Sequence, residues 1–160
     1  MDPDVSRDAL SSLLTEEIAA LIELERLLLK ERAVLESNEL TAIEAVTRER
    51  QAKMGELMRL EEQRRSLCTL HGHPPDYAGL ERLLRWCDPA ATLQQQLRDR
   101  AAHTLRCRDV NDRNGVLVAA RLRHIESRLA VLSGRSNLNV TYGRTGSAPR
   151  SLGGRALGAA

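Results

Sequence analysis

Leucines recur along the first quarter of the chain at helical spacing. Leu14, Leu21, Leu28 and Leu35 stand seven apart, and Leu10, Leu13, Ile18, Leu24, Leu27 and Val34 widen the stripe. A stripe of this period predicts an amphipathic helix that buries one face. Residues 4–37 are therefore expected to form a first long helix. Asp2, Asp4 and Asp8 suit the positive end of its dipole, and Ser37-Asn38 are helix-ending residues. Thr41-Ala42-Ile43-Glu44 fits a capping box, and a second helix is expected over 41–71 on Ile43, Val46, Met54, Leu57, Met58, Leu60, Leu67 and Leu70. The short gap between the two makes them antiparallel neighbours. His71-Gly72-His73-Pro74-Pro75-Asp76 breaks the pattern, because two prolines remove donors and fix φ. A short amphipathic helix follows over 78–87. Asp88-Pro89 reads as N-cap and first helical position, so a third long helix is expected over 89–133, closed by Gly134.

The apolar seam of that last helix, read in steps of three and four, is Leu97, Ala101, Thr104, then Val118, Leu122, Ile125, Leu129 and Leu132. Between the halves it passes through Arg108, Asn111 and Gly115, within the run Asn111-Asp112-Arg113-Asn114-Gly115. A glycine inside a helix costs about 1 kcal/mol against alanine. A polar residue on a helix seam sets register at some cost in stability. Two compatible readings follow: Asn111 sets register and Gly115 permits close helix approach, or this turn leaves a soft place where a partner helix docks.

Composition sharpens the picture. Phe is absent from the 160 residues, and the aromatics are Trp86, Tyr77 and Tyr142. The core is therefore expected to be a narrow Leu/Ala seam between helices. The fold class is all-α: an elongated antiparallel helical bundle, or coiled-coil hairpin, of three long helices plus one short helix. Residues 1–134 are expected to form the bundle. Residues 135–160 hold Gly, Ser, Ala and four Arg without an acid, and are expected to be a flexible basic tail. The net charge of +2 hides an asymmetry. Residues 1–62 carry 15 acidic and 8 basic side chains, and residues 63–160 carry 7 and 16. This split favours antiparallel packing of an acidic first half on a basic second half.

No motif of catalysis stands out: there is no GxGxxG, P-loop, GxSxG or HExxH, and no enzyme activity or cofactor is expected. Cys68, His71, His73 and Cys87 surround the Pro-rich turn, but their spacing is not a familiar zinc set, and a cysteine on a seam usually serves as a small apolar core residue. No metal is expected. Arginine alternates with acid through most of the second half, which reads as solvated helix faces and not as a nucleic-acid surface. The start carries no signal-like segment, and no apolar run is long enough for a membrane span. Three cysteines at no disulfide-like spacing fit a cytoplasmic protein.

Three places resemble the FlgN-like flagellar export chaperones. The first is the acidic Leu-rich opening helix with the Leu40-Thr41-Ala42-Ile43 restart and Lys53. The second is Asn111-Asp112-Arg113-Asn114-Gly115-Val116-Leu117, similar to the family's Asn-x-x-Asn-Gly-x-Leu. The third is Thr141-Tyr142-Gly143-Arg144-Thr145-Gly146, similar to its Tyr-Gly-x-x-Gly tail, with Thr145 where an acidic or amide residue often stands. The resemblance implies a cytoplasmic chaperone without catalysis. It would bind the helix-prone C-terminal segments of flagellar hook-associated proteins, prevent their premature assembly, and deliver them to the cytoplasmic domain of the export gate. Cargo contact is expected at Asn111, Asn114, Gly115, Val118, Leu122, Ile125, Leu129 and Leu132. Contact with the gate is expected at Leu138, Val140, Tyr142 and Gly143. The alternative is a helical coiled-coil adaptor that forms homodimers through the same seam.

Overall fold

The computed structural model describes residues 2–37 and 40–132. Four helices follow one another: α1 (Pro3–Ser37), α2 (Leu40–Leu70), α3 (Tyr77–Cys87) and α4 (Gln94–Leu132). There is no strand among the described residues, and the fold is all-α. Asn38, the expected Gly134 cap, the basic tail and its patch Leu138–Gly143 lie outside the described residues. The chain divides into two units, Met1–Arg123 and His124–Ala160; residues 124–132, the end of α4, are the described part of the second.

α1 begins with Pro at its first position, and the Asp2 carboxylate accepts from the Asp4 N–H at 3.0 Å. Its buried positions Leu10, Leu14, Leu21, Leu24, Leu28 and Leu35 trace one seam. Fully burying each such side chain contributes about 1.5–3 kcal/mol. α2 returns antiparallel. Glu17 pairs with Arg64 near the start of α1, and Lys30 with Glu49 and Glu31 with Arg50 near its end, so the two helices run in opposite directions. α4 then runs parallel to α1. Ser11 meets Gln96, Glu17 meets Arg100 and Leu28 meets Asn114, at offsets of 83–86 residues.

The link from α2 to α3 is built by backbone chemistry. Gly72 sits at φ +71, the left-handed cap position that favours glycine, and the His73 N–H reaches back to the Cys68 carbonyl at 3.0 Å. Asp76 caps α3 by accepting from the Gly79 N–H at 2.8 Å. α3 lays Leu80, Leu83 and Cys87 on Leu10, Leu14, Leu67 and Cys68, which closes one end of the core. Gly79 is required there: a Cβ would stand 1.7 Å from the Pro74 carbonyl oxygen. Gly79→Ala must move the backbone, and we expect it to destabilise by about 1–3 kcal/mol. Urea unfolding checks this; an unchanged midpoint would mean that the Pro74 turn yields freely.

The expected helix start at Pro89 is corrected: α4 begins at Gln94. The Asp88 carboxylate does not launch a helix at the next residue. It accepts from Thr92 N–H (2.9 Å), the Thr92 hydroxyl (2.7 Å) and Leu93 N–H (2.8 Å), and so folds residues 88–93 into a turn. Ala91, at φ +56, interrupts any helical run inside it. Burial pushes the Asp88 carboxyl up, but these hydrogen bonds outweigh it and hold the group below its usual range.

Candidate functional site

The α1 seam contains two acids. In the sequence Leu10, Leu14, Glu17, Leu21, Leu24, Leu28, Glu31, Leu35, the steps alternate between four and three, and Glu17 and Glu31 are as buried as the leucines around them. Each is met by one residue of α2 and one of α4. Glu17 takes Arg64 at 3.1 Å and also Arg100. Glu31 takes Arg50 at 3.2 Å and the Asn114 amide at 3.1 Å. Glu17 to Glu31, Arg50 to Arg64 and Arg100 to Asn114 are each fourteen residues apart, two heptads. The three helices therefore carry two polar layers, about 21 Å apart at 1.5 Å per residue. A buried polar layer leaves few alternative alignments, because any slip strands a charge.

α4 faces α1 along a line different from the one expected. Leu97, the first residue of the expected seam, does pack on the core at the α3 end; from Arg100 onward the buried line runs through Arg100, His103, Cys107, Val110, Asn114, Leu117 and Arg121. After Leu97, the rest of the expected seam, Ala101, Thr104, Arg108, Asn111, Gly115, Val118 and Leu122, lies one residue further on, about 100° around the helix. The polar partners decide this. Arg100 and Asn114 answer the two seam acids, and His103 Nδ1 and Arg106 Nε lie 3.1 and 3.2 Å from the Glu25 carboxylate. Burial raises the Glu25 carboxyl, but hydrogen bonds from His103 and Arg106 lower it more. Between the layers the contact is apolar: Cys107 packs with Leu21, Leu24 and Leu28, beside Leu57 and Val110.

The rotation has two consequences. First, an open groove of about 490 Å³ lies between α2 and α4 over α1, between the two polar layers. Leu21, Leu24 and Leu28 floor it, Met54, Leu57 and Met58 form one wall, and Thr104, Arg108 and Asn111 form the other. Second, the apolar half of the expected seam stays exposed. Val118 is 42 % exposed and Leu122 is 55 % exposed. Ser37, the end of α1, falls opposite residues 120–123 by the 83–86 offset, so α1 runs out there. In the second unit Ile125, Leu129 and Leu132 are also exposed, the last at 83 %.

The remaining expected site residues divide sharply. Asn111 is exposed, and its Oδ1 accepts from Arg50 Nη1 at 3.4 Å across the groove. Asn114 is 2 % exposed; its amide donates to the Leu28 carbonyl at 2.9 Å and to Glu31. Register setting thus falls to Asn114 and not to Asn111. The notion that Gly115 permits close helix approach is also corrected, since a Cβ there would meet nothing within 4 Å. Among the described residues, the buried side-chain atoms Asn114 Oδ1 and Arg50 Nε lack hydrogen bonds. Arg50 Nε is close enough to Glu31 for ion pairing but is misaligned for a hydrogen bond. Asn114→Ala should cost about 1–3 kcal/mol, because the Glu31 carboxylate loses its α4 partner. Urea unfolding reads it; a loss of only tenths would mean that the amide is not a latch.

Sequence reading missed the two acids, although the signal was there: Glu17 and Glu31 fall in step with the leucines. The cysteines are core residues. Cys68, Cys87 and Cys107 are buried, and burial pushes each thiol up. Among the described residues no three His, Cys, Asp or Glu side chains gather to hold a metal, and no helix is long and apolar enough to cross a membrane.

Comparison with known proteins gives one match: the sequence model of the FlgN protein family aligns with residues 1–150. No curated protein and no solved structure matches the chain.

Proposed function

The chain belongs to the FlgN family of flagellar export chaperones, and from that premise we propose that it binds the helix-prone C-terminal segment of hook-associated proteins in the cytoplasm. The observation that carries this reading is the apolar line on α4. In the first unit Val118 and Leu122 are 42 % and 55 % exposed; in the second, Ile125, Leu129 and Leu132 are 53–83 % exposed. An exposed apolar helix face is suited to receive an amphipathic helix by side-chain interdigitation. Asn114 fixes the helix that presents the line. Asn111 and Gly115 lie beside it, where cargo contact can extend. Covering the cargo segment keeps it from assembling early.

The same reading assigns Leu138, Val140, Tyr142 and Gly143 to contact with the cytoplasmic domain of the export gate, on the Tyr-Gly-x-x-Gly likeness. Tyr142→Ala should then weaken gate binding by about tenfold or more while sparing cargo binding. Equal loss of both, or of neither, would reject that division.

A second reading is favoured by the same exposed line: two copies of the chain pair through it. Mass in solution, with and without a hook-associated C-terminal segment, separates the two. The chaperone converts to a one-to-one complex on adding the segment. A self-associating adaptor keeps the same oligomer whether the segment is present or absent.

A further inference from the structure

We propose that the groove between α2 and α4 receives an amphipathic helix that carries acidic side chains beside its apolar anchors. Resting on the reading above, this helix is the cargo segment, and exposed Val118 and Leu122 on α4 are one part of its seat.

The groove has the size of a ligand site, within the usual range of roughly 300–1,000 Å³. Its open wall is Met54 and Met58, which are 44 % and 68 % exposed. Methionine is unbranched and polarisable, and it adapts to apolar partners of differing shape. A chaperone that serves more than one related segment needs such a wall.

Charge selects the occupant. The acids at the groove are already committed: Glu17 to Arg64 and Arg100, and Glu61 to Arg65 at 2.8 Å. Of the groove arginines, Arg50 and Arg108 are held less fully. Arg50 lines the groove; its buried Nε lies 3.2 Å from Glu31 without a hydrogen bond, and its Nη1 reaches the exposed Asn111 at 3.4 Å. Arg108 faces it from the other wall, and its contact with Asp112, at 3.9 Å between two exposed side chains, holds it weakly. A carboxylate entering from the occupant would gain charge-assisted hydrogen bonds from these two groups.

The groove also runs into the exposed line. Residues seven apart share a helix face, so Thr104, Asn111 and Val118 align, as do Arg108, Gly115 and Leu122. From Thr104 to Leu122 this face is about 27 Å long at 1.5 Å per residue. That is enough for five turns of a docked helix.

The chain has three methionines, Met1, Met54 and Met58, so methyl-labelled methionine NMR on the full chain reads the groove directly. The probes are a hook-associated C-terminal segment, a synthetic amphipathic Leu/Glu helix, and the same helix with Lys in place of Glu. The Met54 and Met58 signals, assigned by substitution, should shift and saturate with the Leu/Glu helix, and the Lys version should bind about tenfold more weakly. Arg108→Glu should reverse that order. Unmoved methyl signals, or equal response to both helices, would overturn the proposal. A cargo segment that binds by calorimetry yet leaves both signals in place would reject the groove and leave the chaperone reading standing. Response to the Leu/Glu helix with no binding of any hook-associated segment would support the groove's preference and remove the cargo reading.

Discussion

Glu17→Ala is expected to lower the unfolding free energy by about 3–5 kcal/mol, the usual loss when one partner of a buried ion pair is removed. Glu17 is 2 % exposed, and it answers two guanidinium groups at once. Without it, Arg64 remains buried with its charge unpaired, and Arg100 loses its anchor to α1. Glu31→Ala should cost less, about 1–3 kcal/mol, because its partner Arg50 is partly exposed and can turn toward water. Replacing the whole first layer, Glu17→Leu with Arg64→Met and Arg100→Met, should come close to neutral, since an apolar layer of similar volume carries no desolvated charge. Urea unfolding of the three variants tests the account. A Glu17→Ala protein within 1 kcal/mol of the parent would mean that the charges reach water and that the layer is not a buried one.

Leu122→Asp is expected to do the opposite: little to stability and much to binding. Leu122 is 55 % exposed, so a charge there meets solvent in the free protein, and the change should stay within about 0.5 kcal/mol. Once a cargo helix covers the position, the carboxylate is desolvated against apolar side chains. Loss of a contact at the centre of an interface costs about 2 kcal/mol or more, close to thirtyfold in affinity. Calorimetry with a hook-associated segment and urea unfolding together make the test. A parallel fall in stability would place Leu122 in an internal core. Unchanged affinity would remove it from the cargo site.

Much of the fold was legible because its periodicity is strong. The heptad leucines of α1 gave the first helix, and the prolines after His73 gave the break before α3. Beyond Leu97 the buried face of α4 lies one residue from the expected one, because apolar spacing alone marks the wrong line. Arg100, His103 and Asn114 look like surface residues in a linear reading. They are turned inward by Glu17, Glu25 and Glu31, which are far away in sequence. Hydrophobic pattern alone cannot weigh an ion pair between helices. It can place an acid on a seam, and Glu17 and Glu31, in step with the leucines, were a visible sign of polar layers. The start of α4 was misjudged for a different reason. Asp88-Pro89 is a sound helix-start signal, but the Asp88 carboxylate found better donors at Thr92 and Leu93. The groove was not legible at all, because it exists only where the rotated α4 stands across from Met54 and Met58.

The central proposal is that the groove, with exposed Val118 and Leu122 beside it, holds a cargo helix. Titration calorimetry of the full chain against C-terminal segments of hook-associated proteins, with the corresponding segment of flagellin as control, tests it most directly. The account predicts selective binding, micromolar or tighter, with the negative heat-capacity change of buried apolar surface. Equal binding to the flagellin segment, or no binding to any hook-associated segment, would contradict it.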